Sequence, residues 1–232
     1  MSGWRRRLGY VVPSLAVVAA VALMGARTAT RDPGPAWTWP GGSSADTVAR
    51  GRYLVISHDC GGCHGGLADP AADGWLAGET GPAMQFIIGP CYVTPGAKPC
   101  FHTHPRNLTP DNQTGLGRFT ERQIFNALRY GLRPEDTPDV EITSMTPGQG
   151  NFPLHPHYLA PPMPWDAWRY MPDADLRAIA AYLKRAVKPV HNQVQESEGP
   201  PDFWASEYTS EKIGTYPVAP FPTKNEQAPA GN

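Results

Sequence analysis

Hydrophobic and polar positions follow three different rhythms along this chain, and each predicts a different kind of segment. Near the start, Arg5, Arg6 and Arg7 precede an apolar run from Leu8 to Ala26 that carries no charged side chain. The arrangement reads as a signal peptide or N-terminal membrane anchor over residues 1–30. Its apolar run falls between a usual cleaved segment and a full membrane span of about 20 residues, so cleavage and anchoring by residues 8–26 both fit. If the segment is retained, the basic cluster stays in the cytoplasm, and either outcome puts the remainder of the chain on the oxidising side of a membrane.

The second rhythm is helical. From about Ala45 to His58, Val48, Gly51, Tyr53, Leu54 and Val55 fall on or near one side. Thr120 followed by Gln123 predicts a capping box before Ile124, Phe125, Ala127 and Leu128, with Gly131 as the terminating residue. A third helix starts with Pro172, Asp173 and Asp175, continues through Leu176, Ile179, Ala180 and Leu183, and closes on Lys184, Arg185 and Lys188, signs that suit the helix dipole at each end.

The third rhythm is the lack of one. Gly65 to Arg118 reads as a long irregular insertion, and no stretch alternates cleanly enough to predict a sheet. Residues 31–44 read as a linker, 45–188 as one all-α domain, and 189–232 as a Pro-rich extension. Phe203, Trp204, Tyr208 and Tyr216 are too many aromatics for a pure linker, so part of the extension should lie along the domain, with the last ten residues mobile.

Composition changes this picture in one respect. The 27 Pro and 24 Gly among 232 residues demand much loop, so short helices need another apolar body to pack around. Charge excludes one class of partner: 20 basic against 21 acidic residues form no block that would attract nucleic acid.

The missing body is supplied by Cys60-Gly61-Gly62-Cys63-His64. Two thiols three apart with a histidine after the second form an attachment site for one covalent haem c, with thioethers from Cys60 and Cys63 and iron ligation by His64. A redox dithiol would want a βαβ context and a zinc ribbon a second C-x-x-C, and neither is present. For the sixth iron position, Met163 stands between Pro162 and Pro164, a rigid setting that suits a ligand; gap-filling beside Trp165 is the plain alternative, and Met145 the leading substitute. His155 or His157 could replace it. Cys91 and Cys100 are disulfide candidates within the insertion, with a buried thiol or a metal site as alternatives, and His102 and His104 could join a copper or zinc site. Arg106 is a candidate partner for a haem propionate or else a solvated arginine.

These pieces carry a family resemblance. Cys60-x-x-Cys63-His64, Asn107-Leu108-Thr109-Pro110-Asp111, Thr114-Gly115-Leu116-Gly117, Leu128-Arg129-Tyr130-Gly131, Met163-Pro164 and Asp175 to Leu183 together resemble the class I cytochrome c family. The likeness is to the cytochrome c domains that accompany bacterial periplasmic and membrane-bound dehydrogenases. It implies a cytochrome c-like fold, Met163 as distal ligand, and first and last helices crossing near Gly51 and Tyr182. It also implies one-electron transfer from a dehydrogenase to an oxidase or another cytochrome. An open-site haem enzyme or sensor, for peroxide reduction or gas binding, is the alternative. Two departures stand out: this branch often carries two or three haem motifs where here there is one, and the insertion is longer than usual.

Overall fold

The structure is a computed structural model, and it describes residues 44–67, 69–79 and 84–228. The expected signal or anchor, most of the linker and the last four residues lie outside the described residues. Among the described residues, no helix is long and apolar enough to cross a membrane.

Three helices form the frame. Helix α1 (Ala45–Ser57) begins where the Ser44 hydroxyl accepts from Thr47 N–H, and it turns Thr47, Gly51, Leu54 and Val55 inward. Helix α3 (Glu121–Tyr130) carries the complete capping box between Thr120 and Gln123 and ends at Gly131, whose φ of 69° is left-handed. Helix α5 (Asp173–Arg185) buries Leu176, Ala178 to Leu183 and keeps its acidic and basic ends in the expected order. Between them come the short helices α2 (Cys60–His64) and α4 (Trp165–Trp168), and α6 (Ser210–Ile213) follows in the extension.

Helices α1 and α5 cross where Gly51 meets Ala178 and Tyr182. A methyl group built on Gly51 would stand 1.9 Å from the Ala178 carbonyl oxygen, so only glycine allows this approach. Arg50 and Asp175 clasp the same crossing through two 2.9 Å hydrogen bonds. Leu54, Val55, Ile124, Leu128, Leu176 and Ile179 fill the space between α1, α3 and α5.

The insertion differs from its expected irregularity. Strands β1 (Phe86–Ile88) and β2 (Phe101–Thr103) pair antiparallel, with Ile87 opposite His102, and Cys91 and Cys100 are joined by a disulfide in the connection between them. His102 also exchanges two backbone hydrogen bonds with Glu198 of the extension. Strands of three residues are too short to show alternation in sequence, and this one is held by pairing partners distant along the chain.

A second apolar cluster contains Phe101, Leu132, Ile142, Phe152, Tyr158, Trp165 and Trp204. Trp204 and its neighbours Phe203 and Tyr208 come from the extension, which is therefore packed against the domain. Tyr158 stacks on Trp165 with ring centroids 5.8 Å apart, and Gly131 leaves the room that the Trp165 ring fills.

Candidate functional site

The Cys60-x-x-Cys63-His64 segment is a single helical turn, so Cys60 and Cys63 lie on one face. Close neighbours, backbone at Gly61 and a side chain at Gly62, explain its glycines. A methyl on Gly61 would fall 1.8 Å from the Leu67 carbonyl oxygen and 2.3 Å from the Trp75 ring, while one on Gly62 would meet the Asp59 carboxylate. Asp59 itself sits at φ 53°, the left-handed region that lets the chain turn sharply between α1 and α2.

Both cysteines are free thiols. Burial and the Asp59 charge push the Cys60 thiol up to about 12, and the same two causes raise Cys63. A thiol-exchange centre needs a thiolate, so these environments argue against redox chemistry at sulfur. The two sulfurs and the His64 ring do not converge as ligands of a common ion: among the described residues the group that does so is Cys91, Cys100 and His102.

His64 is prepared for a metal in a different way. Its Nδ1 lies 2.7 Å from the Arg106 carbonyl oxygen. A carbonyl only accepts, so the proton resides on Nδ1 and the Nε2 lone pair is left free. Desolvation lowers the His64 pKa, against an opposing hydrogen-bond effect, and so favours the neutral, ligating form.

Among the methionines, Met163 packs against the same core cluster that contains Cys60. The Met163 N–H donates to the Ala160 carbonyl and its own carbonyl accepts from Trp165 N–H, which fixes the loop between the prolines. Met145 differs, because its sulfur accepts a 3.1 Å hydrogen bond from Arg169. His155 and His157 are exposed, and His157 Nδ1 lies 3.0 Å from an Asp136 carboxylate oxygen.

The Arg106 guanidinium is engaged by the extension, donating to the Gln195 carbonyl at 3.0 Å and the Ser197 hydroxyl at 2.9 Å. Its side chain is 45% exposed. His104 is buried with no partner on either ring nitrogen, and its side chain does not join His102 beside the two cysteines.

Two further residues were not singled out in the sequence: Arg129 and Arg169, each 1% exposed. Arg129 donates to the carbonyls of Arg169 and Met171 and pairs with Asp173, whose side chain is 50% exposed. Among the described residues Arg169 makes no hydrogen bond to a carboxylate, although the Asp166 charge acts on it; its Nε and Nη1 have no partner and its plane lies near the Trp165, Tyr170 and Tyr216 rings. Burial, with Arg129 nearby, lowers the Arg169 pKa. Two enclosed guanidiniums share a single hydrogen-bonded carboxylate, Asp173, with Asp166 acting on Arg169 only through its charge, a costly arrangement for buried cations. The only sequence signal was an arginine standing among aromatic residues in Trp168-Arg169-Tyr170.

A haem fits this set of groups. It has two reactive vinyls for two thiols on one helical face and an iron for a free imidazole nitrogen.

No protein-family model matches the chain. It is 28% identical over 151 residues to the fructose dehydrogenase cytochrome subunit of Gluconobacter japonicus, covering 65% of this chain and 24% of that one. It is 27% identical over 154 residues to the gluconate 2-dehydrogenase cytochrome c subunit of Pantoea cypripedii, covering 66% and 26%. The quinone alcohol dehydrogenase cytochrome c subunit of Gluconacetobacter polyoxogenes is 27% identical over 143 residues, covering 62% and 22%. The chain thus spans about a quarter of the length of these relatives. Helix-rich, with few strands and with the free thiols and imidazole on one turn, it is a homologue of the cytochrome c subunits of bacterial dehydrogenases.

Proposed function

We propose that this chain is a single-haem c-type cytochrome that passes electrons, one at a time, from a dehydrogenase to the respiratory chain on the periplasmic side of the membrane. The observation that carries the reading is His64: its Nδ1 proton is committed to the Arg106 carbonyl, and its free Nε2 follows directly on two unbonded thiols. A haem bound there supplies an iron couple that gains and loses one electron without changing its ligands.

The rest is the work of the polypeptide. Cys60 and Cys63 anchor the group covalently, and the Arg106 carbonyl holds the imidazole in one tautomer and orientation. Met163 provides the distal sulfur from a loop stiffened by Pro162 and Pro164, while Met145 is occupied by Arg169. The charge of Arg169 suits a haem carboxylate. Donor and acceptor dock through small interfaces of the kind common in redox encounters. The dehydrogenase subunits among its relatives support a dehydrogenase as donor, and an oxidase or another cytochrome is the acceptor.

Production in a host that matures c-type cytochromes tests this directly. One haem per chain should survive acidified organic solvent, and the oxidised protein should show the weak red charge-transfer band of a thioether ligand. Met163→Ala should abolish that band and admit carbon monoxide, whereas Met145→Ala should keep it. A wild-type protein that binds carbon monoxide at once is instead an open-site haem enzyme or sensor.

A further inference from the structure

The insertion holds a second group of ligating atoms that electron transfer does not use. Ile87, Cys91, Tyr92, Lys98, Cys100 and His102 lie among the residues around an open hollow of about 510 Å³. One ligating atom from each of Cys91, Cys100 and His102 lies within 4.8 Å of the others, and His102 Nε2 is 3.1 Å from Cys100 Sγ. The imidazole is held there by the backbone, since His102 pairs with Ile87 on one side and Glu198 on the other.

We propose that Cys91, Cys100 and His102 form a redox-gated zinc site, closed as the disulfide and opened by reduction. A dithiol reductant gives two electrons and two protons to the Cys91–Cys100 bond; the S–S bond breaks, two thiols form, and the reductant becomes a disulfide. The thiolate on Cys100 is the better leaving group, because the His102 ring stands beside it, so the incoming sulfur attacks Cys91. Zinc then displaces both thiol protons and takes two Zn–S bonds and one bond to His102 Nε2. A water from the hollow completes the tetrahedron.

Geometry favours this exchange. Thiolates sharing one zinc at about 2.3 Å stand roughly 3.8 Å apart. The Cα atoms are 5.6 Å apart, so rotation of two side chains reaches that spacing without moving either strand. The imidazole needs to retreat only a few tenths of an ångström from its 3.1 Å contact. Two thiolates cancel the charge of one Zn²⁺, so Lys98 beside the hollow faces a neutral centre.

The site uses none of the residues assigned to haem, and the test keeps the two readings apart. In haem-loaded protein, Cys60 and Cys63 are thioethers, so reduction by a phosphine should expose two thiols per chain. Native mass spectrometry and calorimetry with Zn²⁺ alone should find one ion on the reduced protein and none on the oxidised protein. Zinc should also slow alkylation of Cys91 and Cys100. His102→Ala, which keeps both cysteines, should weaken zinc binding tenfold or more with an unchanged far-ultraviolet spectrum. Reduced wild type that takes up no zinc overturns the proposal, as does equal affinity in His102→Ala. A count of four thiols overturns the haem reading instead; peptide mapping then shows which pair zinc protects, and protection of Cys60 and Cys63 alone defeats the zinc site.

Discussion

One backbone carbonyl sets the chemistry of His64. By accepting from Nδ1 it decides which nitrogen carries the proton, and so which one is free to bind a metal. Arg169 poses the opposite problem: its Nη2 donates to the Met145 sulfur, but its buried Nε and Nη1 have no acceptor among the described residues. Replacing an unpaired enclosed cation by an apolar side chain of similar length should leave the haem-free chain as stable as before or more so. Arg169→Met is therefore expected to keep or raise the urea midpoint without haem and to lower it with haem bound. A lower midpoint in the haem-free variant would remove Arg169 from the account. Asp111 offers a pH test. Hydrogen bonds from the Thr114 N–H and hydroxyl, then from Gln113 N–H, hold its carboxyl below the ordinary 3.8. A group held low in the folded state contributes stability above that value and loses it as pH falls through it toward the folded pKa. Asp111→Asn should flatten the acid limb of the stability profile in that window, as read by thermal melts from pH 5 downward; a parallel displacement of the whole curve would speak against it.

At the scale of elements, the crossing of α1 and α5 depends on one missing methyl. Gly51→Ala sets a carbon against the Ala178 carbonyl, which is backbone and cannot swing aside, so the helices must separate. Overpacking of this kind costs about 1–3 kcal/mol. Denaturant unfolding of Gly51→Ala beside an exposed helical control such as Arg52→Ala measures the difference, and equal stabilities would place the crossing elsewhere. The long helices were legible in sequence because their signals are local: the Ser44 and Thr120 caps, the Gly131 stop, and apolar spacing of three and four residues. Helix α1 ends at Ser57, one residue before the expected limit, with His58 as its cap. The β1–β2 pair was illegible for the converse reason. Its strands are only three residues long, and part of their support, the bridge from His102 to Glu198, comes from a segment far along the chain. The Cys60–His64 turn of the candidate site could be found from spacing alone, whereas the enclosure of Arg129 and Arg169 could not, because an arginine near a helix is ordinarily solvated.

Across the whole molecule, the extension beyond residue 188 acts as a brace. Asn107 donates to the Val190 carbonyl and Asn192 to the Ala77 carbonyl, tying the extension to both ends of the segment that carries Arg106. Further on, Trp204 meets Phe101 at 5.1 Å between ring centroids and shares its cluster with Leu132, Tyr158 and Trp165. Trp165 in turn donates to the Met163 carbonyl, so the tail reaches the proposed distal ligand through two steps of packing and one hydrogen bond. Removing the indole should cost about 3–5 kcal/mol, the range for emptying a large buried aromatic site. The cost should fall unevenly, because α1, α3 and α5 keep their own core. Hydrogen exchange on Trp204→Ala is then expected to speed up at the amides of Leu132, Leu159 and Trp165 while those of Leu54 and Ile179 stay slow. Equal acceleration in α1 and α5 would mean that the two clusters unfold as one unit, and that the extension braces the entire chain rather than the Met163 loop.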